Sequence, residues 1–187
     1  MKSTGILAGF LLILALVAGG EWFAGRSPLG PDGKFGFWER NVWSAECSQR
    51  VADAYAFSHV AHGILFFGFL WLVARRLRIG TRFLMATALE AGWELLENSP
   101  IIINRYREAT MALGYTGDSI LNSVSDIGMM AIGFLLAWRL PIWATVTILL
   151  AMEIGCALWI RDNLTLNVIM LIHPFDAIKQ WQMGAQG

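Results

Sequence analysis

Apolar residues in this chain fall in long unbroken runs, with neither the alternation of a strand nor the one-sided stripe of a surface helix. Gly5 to Phe23, Ser58 to Ala74, Phe83 to Ser99, Ile120 to Leu140 and Pro141 to Ile160 each approach the length of about 20 residues that crosses a bilayer as a helix. The pattern predicts an all-α fold, a polytopic membrane helix bundle of about five transmembrane helices. Apolar residues in RDNLTLNVIMLIHPFDAIKQW form a stretch too short to span, expected to lie along the interface or to re-enter. Pro100 is expected to kink or end the third run, freeing the carbonyl of Leu96. Ile101-Ile102-Ile103 then leads into a loop from Asn104 to Ser119. The turn-rich SPLGPDGKFG opens a connector, and its later part, ECSQRVADAYAF, reads as a helical extension of the second span. Residues 1–187 thus read as a single integral membrane domain: 1–24 the first span, 25–57 an outer connector, 58–187 the bundle carrying the polar site. Ala18-Gly19-Gly20 offers the small residues of a signal-peptide cleavage site, but an uncleaved anchor is expected.

Acidic residues break the pattern where they are least affordable. Glu90, Glu94 and Glu97 sit in the third run, and Asp118 and Asp126 border or enter the fourth. An acid at a helix centre costs roughly 2.5–3.5 kcal/mol on insertion scales. The three glutamates fall within about 60° of one another around a helix, and Asp118, Asn122 and Asp126 within about 80°. Such stripes are tolerable facing inward, onto partners, protons, water or a metal.

Composition agrees with the membrane reading. Of 187 residues 56% are hydrophobic and 15% charged, against about 25% charged in soluble domains. Net charge is zero, which argues against nucleic acid as a partner. Cys47 and Cys156 match no metal-ligand spacing, although a lone disulfide between them stays open. Tryptophans suit two interfacial belts: Trp22, Trp43 and Trp159 at one face, Trp71, Trp138 and Trp143 at the other. The basic, acid-free RRLRIGTR, together with Lys2 and Arg139, puts the amino terminus on the cytoplasmic side of the membrane.

In that orientation four helices send polar groups to the outer leaflet. His59 and His62 share a helix face. They either hydrogen-bond the mouth of the bundle or act as metal ligands completed by Glu94, Glu97 or Asp126, a set suiting zinc or iron. Glu94 and Glu97 either pair with Arg105, Arg107 or Arg161, or form with Asp126 a general acid/base group of crowded carboxylates. Glu90, deeper, is either protonated or bonded to a neighbouring backbone, with Glu153 on the fifth span as its companion and a purely structural role open to both. Arg105 and Arg107 neutralise the glutamates or grip a phosphate of an outer-leaflet lipid. Asn122 completes the substrate-binding set, and Asn163 and Asn167 are interfacial caps or a roof.

At SHVAHG, EAGWELLENSPIIINRYREAT, GYTGDSILNSVSD and RDNLTLNVIML the chain resembles an uncharacterised bacterial inner-membrane family of unknown function. That resemblance implies a multi-pass membrane protein and no particular chemistry. Gly117-Asp118 through Asn122 to Asp126 is more faintly similar to VanZ-like proteins. The Asn-x-Ala-Asp motif of lipoprotein signal peptidases would need one residue fewer between Asn122 and Asp126.

Three functions stay open. The first is a metal-assisted hydrolase or modifying enzyme acting on a lipid-linked substrate, with Glu94, Glu97 and Asp126 catalytic and His59 and His62 as ligands. The others are an accessory subunit or assembly factor with a membrane-protein partner, and a small ion-coupled carrier.

Overall fold

The computed structural model describes residues 3–110, 112 and 114–184; Lys2, used for orientation, lies outside them. The described residues form α1 (Ser3–Phe23), α2 (Ala56–Val73), α3 (Ile79–Glu97), α4 (Pro100–Ala109), α5 (Ile120–Arg139), α6 (Ile142–Ile160), α7 (Leu164–Ile172) and α8 (Asp176–Met183). The fold is an all-α polytopic bundle. α1, α2, α5 and α6 are long and apolar enough to cross a membrane. With its 19 residues, α3 measures about 28 Å at the helical rise, the same reach, but it carries Arg82, Glu90, Glu94 and Glu97.

The bundle explains how α3 is tolerated. α1, α2 and α5 pack around it, and its polar side is the buried one: Thr87, Glu90 and Glu94 are fully enclosed. Leu89, Leu95 and Leu96 take the outer side. The helix is amphipathic in the sense opposite to a soluble one, as burial of charge away from lipid demands.

α2 and α5 make the closest crossing. A Cβ on Gly63 would land on the backbone carbonyl of Met130, and one on Gly133 on that of Val60. Small residues at these two points let the backbones touch. Toward the end of the bundle away from the site, Val17, Leu70, Ile127, Met130 and Phe134 form the core. Phe134 meets the rings of Phe67 and Phe83 edge-on at 5.3 and 5.5 Å.

Several sequence expectations change. Asn104 to Ser119 is not all loop, because Pro100 stands in the first turn of α4, where its missing N–H costs nothing. The Leu96 carbonyl is not left free, since Ser99 N donates to it at 3.0 Å. ECSQRVADAYAF is mostly turns, and α2 begins only at Ala56. Both cysteines are free thiols. Trp43 is half-buried and lines a cavity between the helices.

The connector folds over the amino-terminal end of α5. Arg50 anchors it internally, 2.7 Å from Asp32 and 3.2 Å from Glu46. Arg50 holds the Asp32 carboxyl below the usual carboxylate range. Three α5-end side chains then donate to connector carbonyls: Ser119 Oγ to Gln49, Asn122 Nδ2 to Arg50, and Ser125 Oγ to Val51.

Candidate functional site

α2 brings His59 and His62 to the end of the bundle where α3 ends and α5 begins. Glu90 lies between the imidazoles: His59 Nδ1 is 2.7 Å from Glu90 Oε1, and His62 Nδ1 is 3.0 Å from each Glu90 oxygen. His59 Nδ1 is also 3.4 Å from Glu94 Oε1, and its Nε2 is 3.6 Å from Asp126 Oδ2. One imidazole therefore touches carboxylates from two helices. The pairing of Glu90 with Glu153 is not found. Glu153 instead receives the N–H groups of Leu164 and Thr165, at 3.1 and 3.0 Å, capping α7.

The acids around His59 are short of donors. Both Glu94 oxygens and Asp126 Oδ1 are buried with no hydrogen-bond partner. A buried carboxylate in that condition calls for a proton or a cation. Donor atoms of His59, His62 and Glu90 lie within 4.8 Å of one another, as do those of His59, Glu94 and Glu97. Imidazole and carboxylate together suit zinc or non-haem iron.

A cavity of about 810 Å³ opens on this cluster. His59, His62 and Phe66 line it from α2, Trp93 and Glu97 from α3, and Asn122 and Asp126 from α5. Glu90 and Glu94 stand behind the histidines and do not reach its surface. α7 closes one side with Leu164, Asn167, Val168 and Leu171. Cavity-lining residues that are also exposed fall in two groups. Leu89, Leu96 and Val168, exposed by 47%, 46% and 45%, form with the exposed Gly92 an apolar lateral mouth. Ala45, Gly114 and Thr116 form a second opening among the loops.

Arg105 and Arg107 do not come to this cavity. Arg105 Nε donates to Leu171 O at 2.8 Å and its second guanidinium nitrogen to Ile172 O at 3.2 Å, capping the end of α7. Arg107 Nε donates to Tyr115 O. Neither pairs with Glu94 or Glu97; both side chains donate to backbone carbonyls. Asn122 does line the cavity, but its amide nitrogen is taken up by Arg50 O at 2.9 Å.

A second polar network adjoins the first. Asn98 Nδ2 lies 3.0 Å from Glu21 Oε1 and from Ser123 Oγ, and its Oδ1 accepts from Asp118 N at 2.6 Å. Tyr115 donates its hydroxyl to Asp118 Oδ1 at 2.8 Å. Burial pushes the Asp118 carboxyl up to about 7, against the opposing hydrogen bond from Tyr115. Arg26 donates to Asp118 O and Thr116 O around Gly117, whose φ of 88° no ordinary side chain adopts readily. On the far wall Asp162 accepts from Gln182 Nε2 at 3.0 Å and Tyr55 OH at 3.3 Å, and burial raises it to about 6.

Sequence reasoning missed Glu21, which is 1% exposed near the end of α1. A charge closing an apolar run reads as the membrane boundary, and the only contrary signal was that no basic residue follows it before Arg26. It missed the tyrosines too, for they are scattered over separate elements.

Residues 22–184 match a family described as protein of unknown function (DUF2585). A UPF0314 protein of Agrobacterium fabrum (strain C58 / ATCC 33970) is 51% identical over 178 residues, 95% of this chain and 88% of that protein. One from Sphingopyxis alaskensis is 48% identical over 185 residues, 98% and 97% of the two chains. One from Paracoccus denitrificans is 47% identical over 181 residues, 97% and 93%. The fainter likeness to VanZ-like proteins is not shown by these matches. No solved structure matches.

Proposed function

The chain belongs to this bacterial family of unknown function, and from that premise we propose that it is an inner-membrane enzyme, metal-assisted, acting on a lipid-borne substrate. One observation carries the reading. His59 lies against Glu94 and Asp126, two carboxylates that keep unpartnered oxygens, and with His62 it lines a cavity whose lateral mouth is apolar. A polar cluster needed only to lock helices together would satisfy its own acids. An ion-coupled carrier would continue acidic groups to the other membrane face, where Phe67, Phe83 and Phe134 pack with Arg82 over the Phe67 ring instead.

In this reading His59 and His62 would hold zinc or iron, which would supply Lewis acidity when bound. Glu90 fixes both rings through Nδ1, the outer carboxylate that metal-binding histidines usually have. Glu97 and Asp126, which line the cavity, take and return protons around the reacting group, and Glu94 behind them acts through His59. The amino terminus is cytoplasmic and the site opens to the outer leaflet, as the arginine-rich α2–α3 turn argues.

Metal analysis of gently purified protein, with native mass spectrometry of co-purifying lipid, tests the proposal. About one zinc or iron per chain is expected, lost when His59 and His62 are both alanine. Wild-type protein that stays metal-free after zinc and iron are offered would remove the metal-assisted reading.

A further inference from the structure

The cavity's charge is one-sided. Glu97, Asp118 and Asp126 face it from three different segments, and no lysine or arginine lines it among the described residues. None of the three has a lysine or arginine ion pair among those residues. Arg26, the nearest candidate, uses its guanidinium on the carbonyls of Thr116 and Asp118. Asp126 points to a missing ligand most directly: it is 4% exposed, it lines the cavity, and its Oδ1 has no hydrogen-bond partner. Burying a carboxylate so is costly unless a cation joins it.

Aromatic rings decide which kind of cation. Trp93, Tyr106 and Tyr115 line the same cavity, the two tyrosine rings meeting edge-on at 5.3 Å. Tyr115 bonds Asp118, and Glu97 lies against Trp93 and Tyr106. Carboxylates interleaved with aromatic rings are the chemistry that recognises an ammonium group, through charge and the negative ring face together. A hard divalent ion would want oxygens all round, and a phosphate would meet three carboxylates with no lysine or arginine to offset them. The apolar mouth at Leu89, Leu96 and Val168 accommodates a chain.

Resting on the reading of this cavity as a substrate site, we infer that the substrate is an amphiphile with an ammonium head group. The ammonium sits among Glu97, Asp118 and Asp126 beside Trp93, Tyr106 and Tyr115, and the apolar chain leaves through the lateral mouth.

Protein purified in dodecyl maltoside is titrated with dodecylammonium chloride and, separately, with dodecyl phosphate, followed by tryptophan fluorescence. Saturable binding of dodecylammonium is expected, with none of dodecyl phosphate. Glu97→Gln and Tyr115→Leu should each weaken it about tenfold. Asp118→Asn, in a different segment, repeats the test should Glu97→Gln unfold. Dodecyl phosphate binding as tightly, or dodecylammonium binding untouched by all three replacements, overturns the inference. So does calcium chloride that displaces dodecylammonium and itself needs Glu97, because the acids then hold a metal. Metal content measured on the same preparations separates the two readings. Dodecylammonium binding by metal-free protein keeps this inference and removes the metal-assisted one; metal bound with dodecyl phosphate preferred does the reverse.

Discussion

A carboxylate that meets two imidazoles at once fixes which nitrogen of each ring remains free. Glu90 does this for His59 and His62 through Nδ1, leaving Nε2 of His59 facing Asp126. If those rings hold a metal, Glu90→Gln should lower its affinity about 10–100-fold while the fold persists, and a zinc titration reads the change. Asp162 gives a separate prediction. Its carboxyl is raised to about 6, chiefly by burial, so the folded chain binds that proton more tightly than the unfolded one. The charge is a cost paid only once the group ionises. Its contribution is therefore full below the unfolded carboxylate value and is lost as pH rises through about 6. Melting temperature followed from pH 4.5 to 8 (an interval of about the width such a titration needs) should show a decline that Asp162→Asn flattens. Asp118, raised to about 7, adds a decline of the same sign, which Asp162→Asn leaves in place.

Among the elements, α2 and α5 are the pair least able to yield. Gly63→Ala or Gly133→Ala sets a methyl against backbone, and overpacking of that kind costs at least about 1–3 kcal/mol. Both variants should melt well below wild type. They should also loosen the site, since His59 stands one turn before Gly63 and Asp126 about one turn before Met130, whose carbonyl Gly63 meets. α7 is held otherwise, by Glu153 at one end and Arg105 at the other. Arg105→Ala should free its carboxyl end, and a cysteine at Leu171, on the cavity wall, should then label faster with a thiol reagent. The spans were legible to within a few residues, because a run of apolar side chains has one stable answer in lipid. α4 was not, since Pro100 reads equally as a stop and as the first residue of a new helix. The gathering of His59, Glu94 and Asp126 was legible from depth and facing. The destinations of Arg105 and Arg107 were not: the carbonyl that claims Arg105 belongs to α7, far away in the chain, and the one that claims Arg107 depends on how the nearby loop turns back at Tyr115.

At the scale of the molecule, orientation is the first thing to measure. Cysteine at Lys34, exposed in the connector, should react with an impermeant thiol reagent in intact cells, and cysteine at Leu77, exposed in the α2–α3 turn, should not. The reverse pattern would place the site on the cytoplasmic leaflet without altering its geometry. The phenylalanine layer around Phe134 has an electrical meaning in either case. Voltage across a membrane falls where no water or mobile ion can carry it, and here that is the dry, ring-filled half of the bundle. The histidines and acids, beside a cavity open among the loops, sit near the potential of the one solution they face. Their protonation and occupancy follow the acidity of that compartment, and an energised cell and a depolarised one should see the same site.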